Sequence, residues 1–208
     1  MKILETERLI LREITVDDAA FALDLLNQPS FIKYIGDRGV RDLDQSRDFI
    51  ENRYRKSYRD HGYGLYVVEL KEPVSDTETR RRGDAVHGDG ETARKGESEE
   101  ILENPHSPFR IPQSIGFCGF VRRAELPAPD IGFAFLPQFE RKGYGFESAD
   151  AVMKYGREVL NFERVLAITS LDNESSGKLL LKLGFTFNKI IDTPEGERLN
   201  LYSFLYPV

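Results

Sequence analysis

A basic turn with two glycines stands between a predicted strand and a predicted helix. Residues 140–145 follow the apolar run 131–136, and a helix-like segment begins at about Phe146. The first N–H groups of a helix have no helical acceptor and lie at its positive end, so such a turn suits a phosphate or pyrophosphate. Gly143 and Gly145 let the main chain approach the anion closely. The alternative is a tight turn in which both glycines serve only geometry.

Two polar residues, Asn173 and Ser176, follow the next apolar run, residues 165–170, at the start of another predicted helix. Adjacent parallel strands that separate at their C-terminal ends leave a crevice, and open α/β sheets bind ligands in such crevices. An asparagine such as Asn173, taken alone, is more often a plain helix N-cap. Together with the glycine turn, the two residues favour a ligand crevice.

Alternating strand and helix patterns supply the elements that position these residues. Predicted strands cover residues 8–14, 62–70, 114–121, 130–136, 165–170, 186–191 and 198–205. Predicted helices run from about Thr15 to a stop at Pro29 and then cover about 44–59, 146–161 and 172–183. These assignments follow from hydrophobic period, capping residues and turn residues.

The order of these elements predicts two topological features. Pro127 and Pro129 mark a turn between strands 114–121 and 130–136, which favours an antiparallel hairpin. The succession of strand, helix and strand from 131 to 170 predicts a right-handed crossover between parallel neighbours.

The segment 71–112 has a different composition. Between Lys71 and Glu100 the aliphatic residues are only Val74, Ala85, Val86 and Ala93. So little apolar surface cannot offset the entropy of ordering, which predicts a disordered, charged insertion between two strands. A loop that selects substrates and a merely tolerated surface insertion both remain open.

Composition narrows the class of protein. A chain of 208 residues, 40% hydrophobic, can bury the core of one domain. Its net charge of −6 gives no general attraction to nucleic acid or to anionic membranes. The single cysteine and three histidines lack metal-ligand spacing, so no metal is expected. Without a signal-peptide core near Met1, the chain is expected to be cytoplasmic.

The combination of motifs resembles the GNAT superfamily of acyl-coenzyme A N-acyltransferases, particularly its branch of ribosomal-protein N-terminal acetyltransferases. The likeness is carried by residues 6–12, 131–137, 142–147, 173–176 and 182–185. It implies a single α/β (α+β) domain over residues 1–208. The implied sheet is twisted and mostly antiparallel, with about six to seven strands, a parallel, splayed central pair and flanking helices.

The resemblance also implies how acetyl-coenzyme A is held. Main-chain N–H groups of the turn would hold the pyrophosphate, and the strand before the turn would pair with the pantetheine arm as an added strand. Asn173 would contact the arm near the thioester, with Ser176 beside it. The implied cofactor-binding residues are Phe133, Ala134, Phe135, Leu136, Arg141, Lys142, Gly143, Tyr144, Gly145, Phe146, Asn173 and Ser176.

Acyl transfer to an amine needs a neutral amine, a base or water chain, and a donor to the developing oxyanion. Asp130 is the candidate base, because it stands where several GNAT enzymes carry a catalytic glutamate; a solvated or capping aspartate is the alternative. The activated thioester needs no protein nucleophile, so direct attack in a ternary complex is expected. Glu140 and Leu180 depart from the family pattern, at the pyrophosphate motif and at the position of a tyrosine general acid respectively.

The leading hypothesis is therefore an acetyl-coenzyme A-dependent N-acetyltransferase that acts on a primary amine, either a protein N-terminus or a small molecule. Two alternatives remain open: a non-catalytic module that binds coenzyme A, and a dinucleotide-binding oxidoreductase that uses Gly143 and Gly145. Cys118 as an acyl-enzyme nucleophile is disfavoured, because no activating base is evident in the sequence.

Overall fold

An eight-stranded sheet organises the residues that the structure, a computed structural model, describes: 1–71, 113–193 and 196–207. The strands are β1 (Lys2–Glu5), β2 (Leu9–Glu13), β3 (Leu65–Leu70), β4 (Gln113–Val121), β5 (Asp130–Phe135), β6 (Arg164–Ser170), β7 (Thr186–Asp192) and β8 (Arg198–Leu205). Their order is β1-β2-β3-β4-β5-β6-β8-β7, and within it β5 and β6 form the one parallel pair.

The predicted fold class is confirmed, with one more strand than expected. The additional strand is β1, which pairs with β2 and has exposed ends. These four residues show no alternation of buried and exposed side chains, so β1 is recognised only by its pairing with β2. The predicted hairpin is confirmed by β4 and β5, and the predicted parallel neighbours are confirmed by β5 and β6.

Six α-helices flank the sheet in the described ranges: α1 (Ala19–Leu26), α2 (Pro29–Tyr34), α3 (Leu43–Phe49), α4 (Lys56–His61), α5 (Tyr144–Glu158) and α6 (Glu174–Lys182). Pro29 ends the first predicted helix but also opens α2, because its fixed φ suits a first helical turn. The predicted helix 44–59 is interrupted by a π-helical segment, Ile50–Arg55, which joins α3 to α4.

The helices cover opposite faces of the sheet. Ala149 and Val152 of α5 and Leu180 of α6 pack on one face in a shared core. Leu25 of α1 and Ile50 pack on the other face in a second core. Successive strand residues alternate between these cores, as strand geometry requires.

Residues Met1–Lys71 and Gln113–Val208 form one compact unit. The predicted disordered insertion, residues 71–112, lies outside the described residues from position 72 onwards. No helix in the described ranges is long and apolar enough to cross a membrane. Nor do those ranges place three or more His, Cys, Asp or Glu side chains as a metal-binding group.

Candidate active site

The parallel strands β5 and β6 separate along their length. They pair at one position, Asp130 opposite Leu166. By contrast, β5 pairs with β4 at six positions and β6 pairs with β8 at seven. A gap therefore opens between their C-terminal ends, with the glycine turn after β5 on one side and Asn173 after β6 on the other.

Strand alternation decides which main-chain groups of β5 face this gap. Leu136 N–H donates to Ile115 O at 2.9 Å, so Leu136 is directed towards β4, and Ala134 with it. The main-chain groups of Phe133 and Phe135 are then directed towards the gap. Of the four residues expected to pair with pantetheine, two thus present main-chain groups to the gap and two hold β5 to β4.

The first turn of α5 presents unpaired donors. Its first helical bond runs from Glu147 N–H to Gly143 O at 3.0 Å. The N–H groups of Tyr144, Gly145 and Phe146 therefore have no helical acceptor, and they lie at the positive end of a helix of 15 residues. Gly143 is the N-cap with φ +87°, in the left-handed region that favours glycine. This arrangement fits an anion.

The charged side chains of the turn point to solvent. Glu140, Arg141 and Lys142 are all exposed, and the Lys142 ammonium lies 5.5 Å from the centroid of the Phe139 ring. Arg141 has a φ of +59°, uncommon for a residue with a Cβ. Glu140 does not occupy the N–H groups of the first turn, so its negative charge leaves the main-chain donors available.

A clamp from the turn between β1 and β2 holds the start of α5. Glu147 accepts hydrogen bonds from Thr6 Oγ1 at 2.6 Å and from Arg8 N at 2.9 Å. Arg8 also donates from Nε to Glu147 at 2.7 Å and from Nη1 to Lys142 O at 3.1 Å, with its guanidinium 4.6 Å from the Tyr144 ring centroid. Burial opposes ionisation of Glu147, but hydrogen bonds from Thr6 and Arg8 hold its pKa below the usual value.

Asn173 is the N-cap of α6. Its Oδ1 accepts a hydrogen bond from Ser176 N–H at 3.1 Å, which confirms the capping role considered from sequence. Capping uses the amide oxygen only. Within the described residues no hydrogen bond involves the amide nitrogen of Asn173, so this donor is available at the edge of the gap.

Asp130 lies at the start of β5 with 1% of its surface exposed, so it is not a solvated aspartate. Arg123 Nε lies 3.2 Å from its Oδ1 and 3.1 Å from its Oδ2. Burial raises the pKa of Asp130 to about 6, although the positive charge of Arg123 opposes the change. A carboxyl group with this pKa is ionised at neutral pH and can accept a proton.

Two contacts of the site were not anticipated from sequence. Arg123 could have been found, because Val121 pairs with Asp130 in the hairpin and Arg123 lies just beyond it. The clamp between Arg8 and Glu147 joins residues 139 positions apart, and no local pattern indicates it.

Two residues weighed from sequence lie in the core. Cys118 is fully buried, and burial raises its pKa to about 12, so it is not a nucleophile. Leu180 is 1% exposed. The hydroxyl that approaches α6 instead belongs to Tyr202 of β8, which lies 2.9 Å from the position that a Cβ on Gly177 would take.

Comparison with known proteins identifies a family and relatives that this chain resembles. Residues 8–186 match the family described as acetyltransferase (GNAT) domain. The chain is 26% identical over 186 residues to the uncharacterized N-acetyltransferase YoaA of Bacillus subtilis (strain 168), covering 88% of this chain and 82% of that protein.

Solved structures share the fold. An acetyltransferase from Agrobacterium tumefaciens str. C58 superposes with a TM-score of 0.69 at 19% identity, covering 99% of this chain and 95% of the other. RimL, a ribosomal L7/L12 alpha-N-protein acetyltransferase in complex with coenzyme A, superposes with a TM-score of 0.69 at 15% identity, covering 99% of this chain and 98% of the other.

The family match covers the glycine turn, β5 and Asn173. The mostly antiparallel sheet also differs from the doubly wound parallel sheet of a dinucleotide-binding oxidoreductase. This chain belongs to the GNAT family and is an acyl-coenzyme A-dependent acetyltransferase.

Proposed function

We propose that the protein transfers an acetyl group from acetyl-coenzyme A to a primary amine, either a small molecule or a protein N-terminus, by direct attack in a ternary complex. One observation carries this proposal: within the described residues, the edge of β5 beyond Asp130 is unpaired towards β6, and it borders the same gap as the α5 N–H groups that have no helical acceptor. A ligand with an extended amide-containing arm and a pyrophosphate matches both features.

The first turn of α5 would hold the pyrophosphate through the N–H groups of Tyr144, Gly145 and Phe146, with Arg141 and Lys142 adding charge from solvent. Phe133 and Phe135 would bind the pantetheine arm through main-chain groups, flanked by Ala134 and Leu136. Asn173 would donate from its amide nitrogen near the thioester, and Ser176 would lie beside the arm.

A surface depression adjoins the turn and could take the remainder of the coenzyme. It has a volume of about 710 Å³ and is lined in part by Gly143, Phe146 and Lys182. The Lys182 ammonium lies 4.2 Å from the centroid of the Phe146 ring. A cation stacked on an aromatic ring suits a phosphorylated, planar group.

Acetyl-coenzyme A supplies an acyl group that is already activated as a thioester. The protein must therefore orient the amine, remove its proton and donate a hydrogen bond where negative charge develops. Asp130 would accept the proton, directly or through one water molecule. Main-chain N–H groups of β5 that face the gap are the nearest donors for the developing charge.

The proposal is tested by thermal unfolding with each cofactor, followed by mass spectrometry of an amine and peptide library incubated with acetyl-coenzyme A. We expect acetyl-coenzyme A to raise the melting temperature, since a ligand that binds only the folded state stabilises it by mass action. We also expect acetylated products. Stabilisation by NAD alone would overturn the proposal, and binding without any acetylation would assign a non-catalytic module.

A further inference from the structure

The candidate base has few hydrogen-bond donors for a carboxylate that is so deeply buried. Asp130 is 1% exposed, and within the described residues one side-chain atom donates to it: Arg123 Nε, which bridges the two carboxylate oxygens at 3.1 and 3.2 Å. Glu147, by contrast, accepts from Thr6 and from the main-chain and side-chain nitrogens of Arg8. A carboxylate can accept about four hydrogen bonds, so Asp130 keeps capacity for a further proton.

Two further carboxylates buried in the described ranges are held in a different way. Arg12 donates to Asp18 through Nη1 at 2.8 Å and Nη2 at 2.6 Å, and to Glu69 through Nε at 2.9 Å. All three nitrogens of that guanidinium are therefore used for ion pairing. Arg123 uses only Nε for Asp130, and no described residue accepts a hydrogen bond from its terminal nitrogens.

The turn between β4 and β5, residues 122–129, fixes the position of Arg123. Leu126 is 6% exposed and packs in a small core with Leu166, the β6 residue opposite Asp130. Arg122 Nη1 donates to Leu126 O at 2.7 Å, which closes the turn. Packing and main-chain contacts therefore hold Arg123 beside the point where β5 and β6 separate.

The charges around Asp130 come from a small number of described groups. Burial raises the pKa of Asp130 to about 6, the positive charge of Arg123 opposes this rise, and the negative charge of Glu125 in the same turn adds to it. Tyr63, which precedes β3, is neutral, because burial and the charge of Asp130 both raise its pKa. Arg38, on the helical side, has no described contact with Asp130 and donates to a main-chain oxygen. Arg123 is therefore the cation in contact with the carboxylate among the described residues.

We propose that Arg123 is the positioning residue of the base: it keeps the buried Asp130 carboxylate ionised and oriented, and leaves it free to accept the proton of the amine. This inference rests on the proposed acetyl transfer, in which Asp130 accepts that proton. A carboxylate buried without a cation would take up a proton from solvent, whereas one surrounded by donors would be too weak a base. A single cationic contact lies between these two extremes.

The test is a direct titration of Asp130 by carbon-13 NMR of protein labelled at aspartate, with Asp130→Asn to assign the signal. In Arg123→Gln the pKa of Asp130 should rise by at least about 1 above its value in the unmodified protein, because burial is then unopposed. Arg123→Lys restores the charge and should bring the pKa most of the way back. Equal pKa values in Arg123→Gln and the unmodified protein would overturn the inference.

Arg164→Gln is the matched control for this titration. Arg164 begins β6 two residues before Leu166, is exposed, and forms no described ion pair. Its removal takes away the same charge on the neighbouring strand without touching the carboxylate, so the pKa of Asp130 should not change. A rise as large as that in Arg123→Gln would show a general effect of charge and contradict the positioning role.

Kinetics connect the titration to the reaction. A rise of about 1 in the pKa cuts the ionised fraction of Asp130 at pH 6 from about half to about a tenth, so kcat/KM of Arg123→Gln should fall roughly fivefold at pH 6 and little at pH 9. Arg123→Lys should recover most of this loss. A loss that is independent of pH, or a profile that does not follow the titration, would overturn the inference.

Because the titration needs no turnover, its result is independent of the proposed reaction. A protein that acetylates no amine refutes the proposed acetyl transfer, while the titration still decides whether Arg123 holds the charge of Asp130. A protein that acetylates amines, with a pKa of Asp130 that does not depend on Arg123, refutes only the positioning role. Unfolding curves of all variants confirm that each is folded.

Discussion

A single buried carboxylate, that of Asp130, links the sequence to the proposed chemistry. Its position at the start of β5 is readable from sequence, whereas its burial and its contact with Arg123 depend on the folded hairpin. Burial and a neighbouring cation act on the pKa in opposite directions, and burial prevails, giving a pKa of about 6. This value is suited to a base that works at neutral pH.

Asp130→Asn should lower kcat/KM by about a hundredfold or more, the usual contribution of a general base. In the unmodified protein, kcat/KM should rise with pH through about 6, as Asp130 ionises. The variant should lack this rise and keep any rise at higher pH due to the amine itself. The measurement is kcat/KM against pH for one acceptor. An unchanged profile in the variant would remove Asp130 from the mechanism.

Asp130→Asn should also change how the stability of the protein depends on pH. The pKa of Asp130 is raised from 3.8 to about 6 on folding, so its contribution is fully present below pH 3.8 and is lost as pH rises through 6. Asparagine does not ionise and avoids this loss. The melting temperature of Asp130→Asn, relative to the unmodified protein, should therefore increase between pH 4 and pH 7. A relative decrease would contradict the assigned shift.

Gly143 is the residue of the turn whose geometry is most restrictive. Its φ is +87°, and a Cβ there would stand 3.2 Å from Arg8 Nη2. Gly143→Ala should lower stability by about 1 kcal/mol and also weaken coenzyme A binding, measured by calorimetry. Gly62→Ala is the control, because Gly62 has φ +76° with open space around its Cβ position. Equal coenzyme A affinity in both variants would argue against the turn as the phosphate site.

At the scale of elements, the hairpin of β1 and β2 holds the N-terminus of α5. Arg8→Gln should break the ionic contact with Glu147 and the bond to Lys142 O. Because the main-chain donors must be in place before the anion arrives, we expect weaker coenzyme A binding, about tenfold in Kd, with a smaller effect on the KM of the acceptor. Calorimetry with coenzyme A and steady-state kinetics measure the two effects.

A surface ion pair provides the control for this clamp. Asp60→Asn removes the exposed contact between Lys56 and Asp60 at the end of α4. It should change neither the Kd for coenzyme A nor the KM of the acceptor. If Arg8→Gln and Asp60→Asn bind coenzyme A with equal affinity, the contacts of Arg8 do not contribute to cofactor binding. Glu147→Gln should resemble Arg8→Gln, because it removes the charge from the other partner.

For the whole molecule, the main question is whether residues 72–112 are needed for folding. Leu70 of β3 lies opposite Gln113 of β4 in an antiparallel pair, so a short hairpin turn can join Lys71 to Gln113. A variant with an Asn-Gly turn in place of the segment should fold and bind coenzyme A. Replacing residues 72–112 by two residues shortens the segment about twentyfold and should lower the entropy cost of loop closure by about 3 kcal/mol.

The measurements are the unfolding free energy and coenzyme A affinity of this shortened chain, compared with those of the full chain. Retained binding with lost acetylation of a particular acceptor would give the segment a role in substrate selection. A chain that no longer folds would show that the predicted insertion is part of the domain.

Sequence by itself determined most of the secondary structure, the hairpin of β4 and β5, the parallel pairing of β5 with β6, and the glycine turn before α5. These features depend on hydrophobic period, turn residues and helix ends, which are properties of neighbouring residues. Local patterns did not reveal β1 or the π-helical segment. β1 is defined by pairing with β2, and the π-helical segment breaks a helical period that is continuous in sequence.

Only the tertiary structure decided which side chains support the candidate site and which protonation state burial favours there. The pairing of Arg8 with Glu147 and the burial of Asp130 both depend on segments that packing brings together. Sequence pattern reports the conformation of each segment, but the free energy of a charge depends on its surroundings in space. For that reason the turn proposed to hold coenzyme A was predictable from residue order, whereas the surroundings of Asp130 required the folded chain.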